Sequence, residues 1–446
     1  METKIRNRFL EDLKGLIQIP SVSTDKEQVE NALDYFLGSA EKLGLHAEKL
    51  LDGQIGIVEL GEGAETVGIL VHLDVVDIGD AGHWTVAPFD LTVKDGRVYG
   101  RGVLDDKGPA MAALYAMKAV KDCGRPLRKK VRMVIGTQEE VEWTDMNAYV
   151  EKYTLPDYSF TPDGYFPIGN VEKGYYDIGI RFPYGDEATS PLPTIRSIDA
   201  GVASNVVPES CTVILSNGET VKTQGQAAHS CLPDKGINAV FLMKEELQNN
   251  HVIGENTCSR VLDLLYDHFS DFVGQALGIE KKEEYYKGEY IHKNMFTPSV
   301  IKTTQDGVEV LVNCRFAYTT SREEIRKAIE TMAAKLGGEI IYEDFLPAVF
   351  VSREAPFLKE LARAYETVTE QEAQFVLDYG ASYCKAMPNM VSYGPIFPGM
   401  EDKCHQTDEY MPLEKMEQMY DILETALAAI VLSELSMKPS EQQPTE

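Results

Sequence analysis

Acidic residues and histidines recur in this sequence at or just beyond the ends of predicted β-strands. His72 and Asp74 close one such stretch, Glu139 and Glu140 follow another, and Asp105 lies just before a predicted helix. The carboxyl ends of the strands in an open α/β sheet meet at one edge, so we expect these side chains to converge there. Several carboxylates in one place need compensating positive charge, which one or two divalent cations would supply. The sequence therefore predicts a metal site at the edge of a sheet.

Two further residues could join this cluster from later in the chain. Asp163 follows a strand-like stretch at 158–162, and His405 would bring a second imidazole from a more distant segment. Each candidate has an ordinary alternative, because acidic residues near strand ends often cap helices and a lone histidine is more often structural than a ligand. The repeated placement of ligand-type residues at one predicted edge favours the metal site.

Alternating strand and helix patterns would position these residues. Strand patterns occur at 55–60, 67–73 and 130–135, and helix patterns occur at 108–120, 144–152, 356–369 and 412–435. Strands interleaved with helices of this length are typical of an α/β fold with a largely parallel sheet. The polar, proline-containing tail at 438–446 is expected to be disordered.

The pattern changes between residues 175 and 351. β-type stretches dominate this region, with helix patterns at 238–247 and 321–336. The chain length of 446 residues also exceeds what one hydrophobic core usually organises. We therefore predict a metal-binding α/β domain formed by residues 1–174 and 352–446, interrupted by an inserted α+β domain at 175–351.

The composition is that of a folded, acidic protein. Apolar residues make up 43% of the chain and charged residues 26%, which excludes a disordered or fibrous protein. The formal net charge of −28 argues against binding to nucleic acid or to an anionic membrane. The sequence shows no secretory signal, no apolar run of membrane-spanning length and no CxxC pair among its seven cysteines. We therefore expect a cytoplasmic protein with reduced thiols.

Four motifs together resemble the M20 family of metallopeptidases, and within it the PepV-like dinuclear zinc dipeptidases. In family order they are His72-Leu-Asp-Val-Val76, Asp105-Asp-Lys-Gly-Pro109, Gly136-Thr-Gln-Glu-Glu140, and Pro162-Asp163 followed by Glu172-Lys-Gly174. Several motifs in the right order are a far more specific signal than one short pattern. The resemblance implies a zinc-exopeptidase-like catalytic domain and an inserted domain that acts as a lid or in dimerisation.

The resemblance also implies two divalent metal ions, preferably zinc, with manganese or cobalt as alternatives. Asp105 would bridge the two ions, and the peptide bond that follows it would be cis. His72 and Asp163 would complete one metal site, and Glu140 and His405 would complete the other.

Two residues beside the expected ligands would have other roles. Asp74 would accept the second ring N–H of His72 and fix its tautomer. Glu139 would take a proton from a water held between the metals and pass it to the leaving amine. The resemblance thus implies a general base that is not itself a metal ligand.

Residues of the inserted domain would contact the substrate. His229, within a motif at 225–233, would stabilise the oxyanion, and Asn205 would lie near the substrate. Arg315 would hold a substrate carboxylate through two hydrogen bonds, although a surface salt bridge is its ordinary alternative.

The segment at 379–385 departs from the glycine-rich pattern of the family, in which Thr and often Arg occur. Ser382 keeps a hydroxyl, and Lys385 keeps a charge without the planar fork of Arg. Because this segment would line the substrate pocket, including at Ala381, the departure leaves the substrate preference open.

These features favour a metal-dependent hydrolase of dipeptides or very short peptides. An alternative is a deacylase or desuccinylase of N-acyl amino acids, which would use the same reaction at the metals. A catalytically inactive metal-binding scaffold is a third reading, although such a protein would have no need of Glu139. The preferred dipeptide, the native metal and the choice between monomer and homodimer stay open.

Overall fold

The computed structural model describes residues 1–185, 190–286, 289–378 and 382–438. The chain forms two compact units. The discontinuous unit comprises Met1–Val171 and Val349–Glu446, and the inserted unit comprises Glu172–Ala348. The boundaries expected from sequence, after Gly174 and Val351, lie a few residues further along the chain. Residues 379–381 of the divergent segment and most of the tail expected to be disordered lie outside the described residues.

The helices and strands are numbered in chain order. The helices are α1 (Thr3–Ile17), α2 (Lys26–Lys42), α3 (Lys107–Asp122), α4 (Thr144–Lys152), α5 (Ala239–Asn250), α6 (Thr257–Phe269), α7 (Arg322–Ala333), α8 (Pro356–Thr369) and α9 (Leu413–Leu432). The strands up to the inserted unit are β1 (His46–Leu50), β2 (Ile55–Leu60), β3 (Thr66–His72), β4 (Thr92–Lys94), β5 (Arg97–Tyr99), β6 (Lys130–Gly136), β7 (Tyr158–Thr161) and β8 (Ile168–Glu172). The remaining strands are β9 (Gly174–Pro183), β10 (Ile195–Ala200), β11 (Ser210–Leu215), β12 (Thr220–Gln224), β13 (Glu284–Tyr286), β14 (Glu289–Ile291), β15 (Met295–Thr303), β16 (Gly307–Phe316), β17 (Glu339–Leu346), β18 (Val349–Phe350), β19 (Phe375–Asp378), β20 (Met390–Ser392) and β21 (Tyr410–Pro412).

A mixed sheet organises the discontinuous unit, with the strand order β1-β2-β6-β3-β7-β20-β8-β18 and β19 paired to β8. The central pairs β6–β3, β3–β7 and β7–β20 are parallel, whereas β1–β2, β2–β6 and β20–β8 are antiparallel. The expected α/β fold is confirmed, but the sheet is mixed and not largely parallel, with its parallel pairs at the centre. The short turn between β1 and β2 forces antiparallel pairing there, since a parallel crossover needs a dozen or more residues.

Helix α3 is the buried helix of this unit. It packs against α1, α9 and β3, and nearly all of its residues are buried, from Lys107 to Met117. Alanines at several of its positions allow the neighbouring elements to approach closely, so the unit forms one continuous hydrophobic core.

Helices α4 and α8 match the predicted ranges. Across the described part of the chain, no helix combines the length and the apolar character needed to cross a membrane.

The inserted unit is built on an antiparallel sheet with the order β12-β11-β10-β15-β16-β9-β17. Alternate residues of β9, such as Tyr176 and Ile178, pack into a core shared with α5, α6 and α7. Helix α6 is an addition to the helices expected from the sequence. A capping box, in which Asn256 and Ser259 satisfy each other's backbone N–H groups, defines its start.

Candidate active site

Neighbouring strands of the discontinuous unit deliver the predicted ligands to one edge. His72 at the end of β3 lies opposite Gly136 at the end of β6, because the two strands pair in parallel. Glu139 and Glu140 follow β6, and Asp163 follows β7, which pairs with the other side of β3. The parallel centre of the sheet is therefore what gathers these side chains.

The five expected metal ligands lie in one cluster. His72 Nε2 lies 3.0 Å from Asp105 Oδ1 and 3.7 Å from Asp163 Oδ2. His405 Nε2 lies 3.1 Å from Asp105 Oδ2 and 3.0 Å from Glu140 Oε2. Asp105 thus presents one carboxylate oxygen to each imidazole, which is the arrangement that a carboxylate shared by two metal ions requires.

The donor atoms fit divalent metal ions. One ligand atom each from His72, Asp105 and Glu140 lies within 4.8 Å of the others, and the same holds for His72, Glu139 and Asp163. Mixed imidazole and carboxylate donors suit zinc, manganese or cobalt. The two donor groups overlap at His72, so the described residues bring these side chains close enough to hold metal, with Glu139 among the possible donors.

The electrostatics of the cluster also favour bound cations. Burial, reinforced by the neighbouring charge of Asp163, raises the pKa of Glu139 well above its ordinary value. Hydrogen bonds to Asp105 and Glu140 raise the pKa of His405. The first shift comes mainly from burial and the second from neighbouring carboxylates, and both conditions favour a cation bound beside these carboxylates.

Asp74 joins the end of β3 to the turn that carries the two glutamates. Its carboxylate accepts the backbone N–H groups of Glu139 at 3.1 Å and Glu140 at 3.2 Å, and the Ser23 hydroxyl at 2.7 Å. Nδ1 of His72 lies 2.9 Å from the backbone carbonyl oxygen of Asp74 and 3.4 Å from its carboxylate. The closest acceptor for His72 is therefore the carbonyl, because the carboxylate is turned toward the two N–H groups.

Asp106, the second aspartate of the motif that carries Asp105, is buried, and the sequence predicted no separate role for its side chain. The peptide bond between Asp105 and Asp106 is cis, as expected. The Asp106 carboxylate accepts the backbone N–H of His72 at 3.1 Å. It thereby ties the loop of the expected bridging ligand to the end of β3. Its position directly after Asp105 was the available signal.

Asp145 and Tyr383 hold the 137–140 turn from its other side. The Asp145 carboxylate accepts the backbone N–H of Thr137 at 2.7 Å, and the Tyr383 hydroxyl donates to the same carboxylate at 2.9 Å. A Cβ atom at Gly136 would lie only 2.4 Å from the Tyr383 hydroxyl oxygen, so glycine is needed there. This contact was not predicted, because it joins segments far apart in sequence.

The divergent segment contributes local structure at its two candidate positions. The Ser382 hydroxyl accepts the backbone N–H of Cys384 at 3.3 Å and caps a short 3₁₀ turn over Tyr383–Lys385. The Lys385 side chain is buried. The structure therefore gives Ser382 a capping role in addition to the substrate role expected for it.

In the inserted unit, His229 has a defined tautomer. Its Nδ1 accepts the backbone N–H of Cys231 at 3.2 Å, so a neutral ring carries its hydrogen on Nε2. Burial and the charge of Arg315 lower the pKa of His229, which favours the neutral ring. The backbone carbonyl of Asn205 accepts the N–H of Ser230 at 2.9 Å and so joins the two predicted lid motifs, while the Asn205 side chain is exposed.

Arg315 is only 5% exposed, which contradicts the alternative of a surface salt bridge. Its guanidinium carbon lies 4.7 Å from the centre of the Tyr175 ring, and its Nε has no hydrogen-bond partner among the residues that the structure describes. The Tyr175 hydroxyl donates to Asp177 at 2.5 Å, and the Asn313 amide donates to the other oxygen of Asp177 at 2.5 Å. A buried network therefore supports an arginine that has no direct carboxylate partner in the described part of the chain.

Comparison with known proteins places these motifs in a family. Residues 68–429 match the model of peptidase family M20/M25/M40. "Putative dipeptidase YtjP" from Bacillus subtilis (strain 168) is 34% identical over 439 residues, covering 92% of this chain and 91% of that protein. "Beta-Ala-Xaa dipeptidase" from Lactobacillus delbrueckii subsp. lactis is 27% identical over 466 residues, covering 97% of this chain and 96% of that protein.

Solved structures share the fold. The aminoacylhistidine dipeptidase from Vibrio alginolyticus matches with a TM-score of 0.64 at 13% identity, covering 94% of this chain and 96% of that chain. The M20 family metallo-carboxypeptidase Sso-CP2 from Sulfolobus solfataricus matches with a TM-score of 0.60 at 19% identity, covering 96% and 99%. Because the family model spans most of the sequence and a relative above 30% identity covers nearly all of it, this chain belongs to peptidase family M20/M25/M40.

Proposed function

We propose that this protein is a metal-dependent dipeptidase that hydrolyses dipeptides or very short peptides. The observation that carries the proposal is Asp105, whose two carboxylate oxygens face two different histidines beside a separate carboxylate, Glu139. The dipeptidase names of two relatives that match along nearly their whole length support the substrate class.

The proposal assigns five residues to two divalent ions, preferably zinc, with manganese or cobalt as alternatives. Asp105 would be the shared ligand, His72 and Asp163 would hold one ion, and Glu140 and His405 would hold the other; these side chains lie within 3.7 Å of one another in the pairs His72–Asp105, His72–Asp163, His405–Asp105 and His405–Glu140. When bound, such a pair of ions polarises the scissile carbonyl and lowers the pKa of water.

Glu139 is the proposed general base. Its backbone N–H is held by Asp74 at 3.1 Å, and its carbonyl oxygen accepts the indole N–H of Trp143 at 2.6 Å. Since the backbone is fixed on both sides, the carboxylate is held beside the ligand cluster. It takes a proton from the attacking water and gives it to the leaving amine.

Two side chains of the inserted unit are assigned to the substrate. Arg315 would bind the C-terminal carboxylate, which would satisfy a buried guanidinium whose Nε lacks a described partner. His229, with its hydrogen on Nε2, would donate to the oxyanion of the tetrahedral intermediate. Asn205 is assigned to the same region because its carbonyl holds the His229 segment.

A cytoplasmic location forms part of the proposal. All seven cysteines lie in the described residues, where none forms a disulfide, and most are buried. Cysteines kept as thiols are typical of proteins that stay in a reducing compartment.

A substrate screen tests the proposed activity. Metal-free protein is supplied with Zn²⁺ or Mn²⁺ and offered dipeptides, N-acetyl amino acids and N-succinyl amino acids in parallel. The proposal expects metal-dependent turnover of dipeptides and slower turnover of both acylated series. Faster hydrolysis of an acylated series would assign the protein to the deacylases instead.

A further inference from the structure

Glu409 is a buried carboxylate that the proposed reaction does not use. Its side chain is fully buried in the discontinuous unit. Oε2 accepts Arg101 Nη1 at 2.8 Å and the backbone N–H of Gly102 at 3.0 Å. Oε1 accepts the backbone N–H groups of Leu104 at 2.7 Å and Asp105 at 3.2 Å. One carboxylate therefore collects four donors from the loop that ends at the proposed shared ligand.

These backbone groups have no regular secondary structure to satisfy them, because they lie in the connection between β5 and α3. Buried N–H groups need acceptors, and successive N–H groups in a turn form a concavity suited to an anion. Gly102 adopts a φ of +87°, and a Cβ atom there would lie 3.0 Å from the Lys107 side chain. The loop that donates to Glu409 therefore depends on a glycine at position 102.

The charge of Glu409 is balanced locally by Arg101. This guanidinium is 1% exposed, donates to the carbonyl oxygen of Asp77 at 3.2 Å and lies 5.2 Å from the centre of the Trp84 ring. With both oxygens occupied by donors, Glu409 has no capacity left for proton transfer or for a metal. Its contacts point to a role exerted through the Asp105 loop.

The segment that carries Glu409 contacts Asp105 at two points. His405 Nε2 lies 3.1 Å from the Asp105 carboxylate, and Glu409, a little further along the chain, accepts the Asp105 backbone N–H. The backbone N–H of Gly100 also donates to the Glu409 carbonyl oxygen at 3.1 Å. One short stretch of chain therefore carries both His405, an expected metal ligand, and Glu409, which holds the backbone of Asp105.

We propose that Glu409 is a positioning residue that holds the 101–105 loop so that the Asp105 carboxylate is oriented for both metals before they bind. The inference rests on the proposed function, because it presumes that Asp105 is a metal ligand. Replacing a residue that orients a ligand typically weakens metal affinity about 10–100-fold.

Glu409→Gln is the sharpest variant, because it keeps the shape but replaces one acceptor oxygen with a donor. In either orientation the amide NH₂ faces two donors, which are Leu104 and Asp105 or Arg101 and Gly102. The affinity of metal-free protein for Zn²⁺, measured by competition with a chromophoric chelator, should fall about 10–100-fold.

Glu59→Gln is the matched control. Glu59 is a carboxylate of the same unit that pairs with Arg132 at 2.7 Å and Lys130 at 2.6 Å, away from the ligand cluster. Its replacement should lower the thermal midpoint while leaving Zn²⁺ affinity unchanged. A role of Glu409 in stability alone would give the same pattern for Glu409→Gln.

A folded Glu409→Gln protein that binds Zn²⁺ as tightly as the parent overturns the inference. If that variant does not fold, Glu409→Asp replaces it, since the shorter side chain keeps the charge but cannot reach all four donors. Parental affinity in that variant would equally overturn the inference. A parent chain that binds no Zn²⁺ would instead contradict the proposed function.

Discussion

Two clusters of residues differ in charge. The Asp105 cluster, made up of the five expected metal ligands and Glu139, is acidic. The Arg315 cluster, made up of Lys173, His292 and Arg315, is basic. Around Asp105, burial raises the pKa of carboxyl groups such as Glu139. Around Arg315, burial lowers the pKa of basic groups, bringing Lys173 to about 8 and His292 to about 3. Each unit therefore favours a different kind of ligand: the electrostatics of the Asp105 cluster favours bound cations, and that of the Arg315 cluster favours a bound anion.

The two clusters also differ in how they are held in place. Apart from His72, which ends β3, the expected metal ligands lie in connections between elements of secondary structure, and backbone N–H groups that donate to the Asp74 and Asp106 carboxylates help to fix this region. Arg315 lies within β16, directly opposite Tyr175 of β9, and the sheet register alone places its backbone. We therefore expect the first cluster to depend on supporting carboxylates and the second on its strand neighbours.

The largest effect is expected from Glu139→Gln, which tests the acidic cluster as a reaction centre. Loss of a general base should reduce kcat by about 10²–10⁴ while the bound metal is retained. Metal content and dipeptide turnover are measured on the same preparation, with the exposed Glu142→Gln as the control that keeps full activity. A Glu139→Gln protein that had lost its metal would mean that Glu139 is a ligand.

A smaller effect is expected from Arg315→Lys, which tests the cationic cluster as an anion site. Lys lacks the planar fork, so kcat/KM for dipeptides should fall about 10–100-fold, corresponding to the ~1.5–3 kcal/mol of a charged hydrogen bond. Dipeptide amides, which carry no carboxylate, should be affected less. Arg181→Lys, at a partly exposed ion pair with Glu309 in the same sheet, serves as the control. Equal losses on both substrate types would remove the carboxylate contact.

The buried cationic cluster should also make stability depend on pH through His292. Its pKa is lowered to about 3 by burial and by Lys173, whereas the unfolded chain has the ordinary value of about 6.5. Below pH 6.5 the unfolded state therefore binds more protons, and the folded state loses about 2 kcal/mol by pH 5. His292→Gln should reduce the difference in unfolding free energy between pH 8 and pH 5 by that amount.

Urea unfolding in the presence of a chelator measures this difference without interference from metal binding. The control is His46→Gln, which replaces an exposed histidine of the other unit. If His292→Gln and the parent show the same dependence on pH, His292 is not held neutral in the folded protein.

The smallest effect is expected from Tyr175→Phe, which keeps the ring beneath Arg315 but removes the hydroxyl that donates to Asp177. Loss of one hydrogen bond of about 1 kcal/mol should raise KM for dipeptides about fivefold with little change in kcat. Tyr175→Leu, which also removes the ring, should raise KM further. Equal KM values for Tyr175→Phe and the parent would show that the hydroxyl does not help to position Arg315.

The position of the candidate site was largely predictable, because alternating strands and helices place His72, Glu140 and Asp163 at one sheet edge. The antiparallel flank was predictable too, since β1 and β2 are joined by a short turn. Helix α6 carried a readable start signal in Asn256 and Ser259. These features depend on local pattern and on connection length.

The supporting contacts were not predictable from pattern. Glu409 reaches Asp105 across 304 positions of sequence, and Tyr383 reaches Asp145 across 238. Such partners are chosen by the packing of distant segments, and nothing in the local sequence distinguishes Glu409 from an exposed glutamate. The burial of Arg315 was not predictable either, because strand alternation indicates on which face of the sheet its side chain lies but not which residues cover that face.

The central claim is that Asp105 is shared by two metal ions that act with Glu139 on dipeptides. Calorimetric titration of the metal-free chain with Zn²⁺, with dipeptide hydrolysis followed in the same samples, tests it most directly. Two ions per chain are expected, with dipeptide hydrolysis that rises as they bind. One ion per chain, or dipeptide hydrolysis that persists in chelator without bound metal, would contradict it.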